Sequence, residues 1–251
     1  MGDTYEAITT AVDGAVATIT LSRPKALNAI TPAMLDEVTT ALTGFRDDPA
    51  IGVIVLTGEG RAFSAGVDLK AIAGGGLSDG NVGGTLDDRA RRVIELIEAM
   101  AEVVIAKVNG FCFTGALELV LACDLVVTAT EAKLGDTHAK WGLRPTWGMS
   151  QRLPRAIGLA RARMLSYTAA TFSGTEAVEW GLAVAAHPVD ELDAAVAELA
   201  ATITANSRGS IAAYKDLYRV ARETSLADGL AYEASTSYEI ADTADRVSGF
   251  G

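Results

Sequence analysis

Residues 103–130 read VVIAKVNGFCFTGALELVLACDLVVTAT. Both ends, "VVIAKVNG" (103–110) and "DLVVTAT" (124–130), are β-branched apolar runs of the kind that form strands. Two such strands flanking a helix-like segment predict an α/β arrangement with mostly parallel pairing. One residue in the middle is out of keeping. Glu118 stands among Leu117, Leu119, Val120, Leu121 and Ala122. Burying an ionised carboxylate without a partner costs several kcal/mol, so such a group is rarely an accident of packing. Gly115 lies three residues earlier. If a helix begins there, the two share one face a turn apart. The free N–H groups of that first turn then point where the carboxylate points, and glycine lets a ligand approach them. The plainer alternative is a partly solvated glutamate favoured by the helix dipole.

The same alternation extends outward. "AVATITL" (15–21) has the period of a half-buried strand. Thr31-Pro32 is an N-cap followed by proline, and Met34, Leu35, Val38, Leu42 and Phe45 follow at helical spacing. "IGVIVLTG" (51–58) is a continuous apolar run, as in a strand covered on both faces. Residues 88–101 are helical, with Val93, Ile94, Ile97 and Met100 on one face. From about residue 157 the pattern turns helical. Leu192, Val196, Leu199 and Ile203 line one face of 190–205, and 210–223 and 226–246 read as two closing helices. The expected division is a core over 1–190 and a helical region over 191–251. "GGGLSDGNVGGT" (74–85) lacks Gly-Lys-Ser/Thr, so it is a surface loop or a cover over a site rather than a phosphate loop.

The 251 residues carry a net charge of −11. That balance disfavours nucleic acid and anionic membranes, both of which are held by basic surfaces. The only cysteines, Cys112 and Cys123, lie in apolar surroundings, which suits thiols in a reducing cytoplasm. The first residues do not read as a secretory leader, and no apolar run is long enough to span a bilayer.

"RAFSAGVDLK" (61–70) follows the strand 51–58, and its small residues around Gly66 leave the backbone open; if Asp68-Leu69 begins a helix, the N–H of Val67 is a second aimed donor, the plainer alternative being an ordinary strand-to-helix turn. Together "SRPKALNAI" (22–30), "RAFSAGVDLK", "VNGFCFTGALELVLACD" (108–124) and "QRLPRAIGLARA" (151–162) resemble, in order and spacing, the enoyl-CoA hydratase/isomerase (crotonase) superfamily. The resemblance runs to about residue 245. It implies an α/β fold with a ββα spiral core and a C-terminal helical region used for assembly as a homotrimer or dimer of trimers. It implies an acyl-CoA thioester substrate, with no metal and no separate cofactor, coenzyme A being part of the substrate. The oxyanion-hole N–H groups map to Val67 and Gly115. The CoA sites map to Lys25, Ala26 and Leu27, and to Ala62, Ala65, Asp68 and Leu69.

In the hydratases of this superfamily two glutamates move protons. The first maps to Glu118; the second maps to His138 in "LGDTHAKWGL" (134–143). "Thr-Gly-Ala" (114–116) also replaces the more usual three glycines, and the chain ends short of the tail that in many relatives reaches a neighbour's CoA site. Imidazole exchanges protons near neutral pH, so His138 is expected in the site, with Asp136 orienting it or capping the turn. The expected reaction is hydration of a trans-2-enoyl-CoA. The alternatives are another enolate reaction (double-bond isomerisation, decarboxylation or thioester hydrolysis) and a catalytically weak acyl-CoA binder.

Overall fold

The computed structural model describes residues 5–72 and 80–249. Residues 74–79 of the glycine-rich segment, with the cover they were expected to form, lie outside the described residues. The chain opens with an antiparallel hairpin, β1 (Ile8–Asp13) and β2 (Val16–Leu21). Thr31 then caps α1 (Pro32–Arg46): its hydroxyl accepts the Met34 N–H, and Pro32 occupies the first turn, where it loses no hydrogen bond. A cap of this kind contributes about 1 kcal/mol.

From β3 (Val53–Gly58), buried along its whole length, the chain repeats one unit. β3 is followed by the short β4 (Ala62–Ser64) and the helices α2 (Leu69–Ile72) and α3 (Gly84–Ala99). β5 (Val103–Val108) is followed by β6 (Phe111–Phe113) and α4 (Gly115–Val120). β7 (Leu125–Ala129) leads to β8 (Lys133–Gly135), a 3-10 turn at His138–Trp141, α5 (Met149–Ile157) and α6 (Leu159–Thr168). β9 (Thr171–Ser173), α7 (Gly174–Glu179) and β10 (Ala185–His187) close the series. The longer strands form one sheet in the order β1-β2-β3-β5-β7-β10, parallel from β2 onward. The short strands form a second sheet, β4-β6-β8-β9. Each unit therefore gives one strand to each sheet before its helix, which is a ββα spiral.

The corner between the two strands of a unit is tight. A Cβ on Gly58 would lie 2.2 Å from the Ala62 carbonyl oxygen, and one on Gly110 would lie 2.1 Å from that of Arg61. Asn28, fully buried, clamps the first corner by donating to the carbonyls of Glu59 and Ala62 at 2.9 and 2.8 Å.

The C-terminal region comprises α8 (Leu192–Thr204), α9 (Arg208–Glu223), α10 (Leu226–Ser235) and α11 (Thr243–Ser248). The single helix expected over 226–246 is thus broken. The reason is Asp216 on α9, whose Oδ2 accepts the hydroxyls of both Tyr232 and Tyr238, at 2.9 and 2.7 Å. Six residues apart on one helix, those tyrosines would project in different directions; the chain leaves the helix at Thr236 and brings both to one carboxylate. Lys215 of α9 donates to Asp124 Oδ2 and to the Glu102 carbonyl, each at 2.7 Å, tying this region to the ends of β5 and β7. No described helix is long and apolar enough to cross a membrane.

Candidate active site

Gly115 does begin a helix, α4, and Glu118 lies in its first turn with only 2% of its surface exposed. Its Oε1 accepts the backbone N–H groups of Trp147 and Met149, both at 2.9 Å. Its Oε2 faces His138 Nε2 at 3.5 Å. Burial raises the Glu118 carboxyl above the ordinary carboxylate range; the N–H of Met149, the His138 ring and the N–H of Trp147 oppose the rise without cancelling it. One oxygen is therefore anchored and the other is directed at a proton partner.

That partner is positioned by Asp136. His138 Nδ1 lies 2.6 Å from Asp136 Oδ1, which also accepts the His138 backbone N–H at 3.3 Å. Ser166 on α6 donates to Asp136 Oδ2 at 2.6 Å. Burial pushes the Asp136 carboxyl up, but the hydrogen bonds from His138 and Ser166 and the charge of the ring outweigh it, leaving it below the ordinary range. An ionised Asp136 makes Nδ1 the donor of that bond and turns Nε2 toward Glu118. Asp136→Asn removes this orientation, and kcat is expected to fall by about tenfold, up to 10²-fold. Because Asp136 is held below its unfolded value, the stability it contributes is present above the ordinary carboxylate range and lost as pH falls through its folded value. The Tm gap between wild type and Asp136→Asn should therefore narrow in acid, which thermal melts along a pH series would read.

The second donor strand lies opposite. The Ile30 N–H bonds to Gly66 O and the Asp68 N–H to Ile30 O, at 2.8 and 2.9 Å. This bridge uses the residues on either side of Val67 and leaves the Val67 N–H pointing away from it. Gly66 supports the turn with φ +91°. A cavity of about 110 Å³ is lined by Ala65, Val67, Leu69, Gly115, Glu118 and His138, with Thr114 between the two donor segments. The Trp147 ring covers Gly115 so closely that a Cβ there would lie 2.4 Å from it. Trp147 is itself held by Asp87 of α3, whose Oδ1 accepts the indole N–H and the Thr146 hydroxyl, each at 2.7 Å.

The segments expected to hold CoA run side by side, joined by the Ala65 N–H to Leu27 O at 2.9 Å. Lys25 is exposed and Ala26 and Leu27 are half-buried. Asp68 pairs with Arg23 at 3.0 Å. Ala62 has 1% of its surface exposed, and its carbonyl already accepts from Asn28, so its side chain belongs to the core rather than to the cavity. Asp87 and Ser166 escape a reading of the sequence. Asp87 carried a signal: it falls on the apolar face of α3, three and seven residues before the buried Ala90 and Ile94. Cys112 is fully buried, which pushes its thiol up and away from nucleophilic chemistry.

The two-sheet spiral with a helical C-terminal region defines an α/β protein of the crotonase class. The sequence model described as enoyl-CoA hydratase/isomerase matches residues 11–250. A probable enoyl-CoA hydratase of Mycobacterium tuberculosis is 37% identical over 246 residues, covering 98% of this chain and 94% of that one. A crotonyl-CoA hydratase of Syntrophomonas wolfei is 36% identical over 209 residues, 83% of this chain and 78% of the other. The crystal structure of an enoyl-CoA hydratase from Bacillus anthracis superposes with a TM-score of 0.88 at 33% identity, covering 98% of this chain and 95% of that one. The chain belongs to the enoyl-CoA hydratase/isomerase family.

Proposed function

We propose that this protein hydrates trans-2-enoyl-CoA thioesters to 3-hydroxyacyl-CoA. The observation that carries the reading is the Glu118–His138 pair, a buried carboxylate with one oxygen anchored and the other 3.5 Å from a ring nitrogen, in the cavity that Val67 and Gly115 line. The thioester oxygen accepts the N–H groups of Val67 and Gly115. Glu118 Oε2 takes a proton from water as the water oxygen bonds to C3. The π electrons move toward the thioester, giving an enolate held by the two donors. The proton then passes from Glu118 Oε2 across the pair to His138 Nε2, which delivers it to C2 and returns both groups to their starting state. The net change is one water added. Coenzyme A enters as part of the substrate, along the segments 25–27 and 65–69.

Crotonyl-CoA and longer trans-2-enoyl-CoAs, followed by loss of the conjugated thioester absorbance, test this directly. Turnover is expected. Conversion of a 3-enoyl-CoA to the conjugated ester with no hydration would replace the reading with isomerisation, which needs only one shuttling proton. The division into a spiral core over 1–190 and an assembling region over 191–251 belongs to the same proposal. So does a homotrimer or dimer of trimers, supported by Tyr214, Tyr218, Leu226 and Leu230, which α9 and α10 leave exposed. The two unpaired cysteines support a cytoplasmic setting.

A further inference from the structure

Thr114 lines this cavity, and the reaction above gives its side chain no task. It links β6 to α4 at φ 49° and ψ −118°. Leu27 and Ala169 also have positive φ, but with ψ of 37° and 29° they sit in the left-handed helical well. Thr114 lies outside that well, in backbone that glycine adopts freely and β-branched residues avoid. A strained residue of this kind persists where its side chain is used.

The placement of the hydroxyl indicates the use. It makes no capping hydrogen bond to α4. It has no hydrogen-bond partner among the described residues, yet it is not among the sealed, unpartnered polar atoms of the interior, so it opens onto the cavity. It also fills the space beside Gly66: a Cβ there would lie 2.1 Å from Thr114 Oγ1. Gly66 precedes the Val67 donor and Thr114 precedes the Gly115 donor. The hydroxyl therefore sits at the seam between the two N–H groups.

We propose that the Thr114 hydroxyl is a third hydrogen-bond donor to the thioester oxygen, engaged as that oxygen gains charge in the enolate. The inference rests on the oxyanion site assigned under the hydratase reading. No proton is transferred; the O–H rotates to donate, and the bond strengthens as the acceptor becomes anionic. Thr114 is then a catalytic residue, and the backbone strain is the cost of placing an oxygen where a glycine has none.

The test compares wild type with Thr114→Val, Thr114→Ser and Thr114→Gly. Hydration kinetics are measured beside the affinities for acetoacetyl-CoA, whose acidic α-carbon allows it to bind as an enolate, and butyryl-CoA, which offers only a neutral carbonyl. Thr114→Val keeps the shape and loses the donor. Its kcat should fall about 10- to 100-fold, less than for a site with a single side-chain donor because two N–H groups remain. KM and butyryl-CoA affinity should be nearly unchanged, while acetoacetyl-CoA affinity and the enolate absorbance band weaken. Thr114→Ser should restore both. Thr114→Gly should melt higher, with its strain relieved, yet show the same kinetic loss. If valine disrupts folding, the glycine and serine variants decide. Wild-type kcat and enolate affinity in Thr114→Val or Thr114→Gly would overturn the inference while leaving the hydratase reading intact. If wild type hydrates no enoyl-CoA, the hydratase reading falls, and the enolate-affinity comparison still decides Thr114. Absence of any CoA-ester binding by wild type overturns both.

Discussion

Glu118→Gln is expected to lose turnover and gain stability. The amide is nearly isosteric with the carboxyl. Its oxygen accepts the Trp147 and Met149 N–H groups as Oε1 does, and its NH₂ donates toward His138 Nε2. What disappears is the base. General-base removal costs about 10²–10⁴ in rate, and the upper part of that range applies, because no other carboxylate faces the cavity among the described residues. The desolvated charge also disappears. Glu118 is held above its ordinary range in the folded protein, so its ionised form costs stability once the pH is above the unfolded carboxylate value, and costs none below it. Replacing it with a neutral, satisfied amide should therefore raise stability at neutral pH by about 1 kcal/mol, or roughly 2–4 °C in Tm for a chain of this size. The gain should shrink as the pH is lowered through the carboxylate range. A variant that hydrates at the wild-type rate, or that melts lower at neutral pH, would contradict this account of the residue.

Gly66→Ala should have the largest effect on the fold. Alanine at φ +91° is strained in any surroundings, and here its methyl would also lie 2.1 Å from Thr114 Oγ1 and 2.8 Å from the Phe113 carbonyl oxygen. The Thr114 hydroxyl can be removed, but the Phe113 carbonyl belongs to the backbone of β6. The expected loss is about 3 kcal/mol or more, combining strain with a clash that no rotamer relieves. Any protein that does fold should lose turnover, because the turn that aims the Val67 N–H has moved. Adding Thr114→Gly to Gly66→Ala removes only the closer of the two contacts, so the double variant should recover part of the stability and little of the activity. Chemical denaturation of the two single variants and the double variant measures this coupling, and simple additivity would show that Thr114 and the alanine methyl do not press on one another.

The parts of the fold that are legible in the sequence are those with local causes. Thr31-Pro32 starts a helix because the cap and the first turn are adjacent in the chain. The 51–58 run reads as a doubly covered strand because its burial is uniform, and Val53–Gly58 is buried throughout. The second sheet is not legible. Its strands, Ala62–Ser64, Phe111–Phe113, Lys133–Gly135 and Thr171–Ser173, are too short to establish a period of two. The break at Thr236 has the same character, since its cause is a carboxylate on another helix. In the site, Glu118 and Gly115 announced themselves by standing against a local pattern. The contacts that tune them come from Trp147 and Met149, from Asp87 through Trp147, and from Ser166 through Asp136; all are distant in sequence and meet only through the spiral.

The two amides anchored on Glu118 Oε1 have a spectroscopic consequence. Trp147 and Met149 each present a backbone N–H to the oxygen of a single buried carboxylate. A change of charge on that carboxylate alters the polarisation of both N–H bonds together. Two main-chain nitrogen resonances, assignable without substrate or label near the reacting atoms, therefore follow the protonation of the base, and with it the resting state from which each catalytic cycle begins.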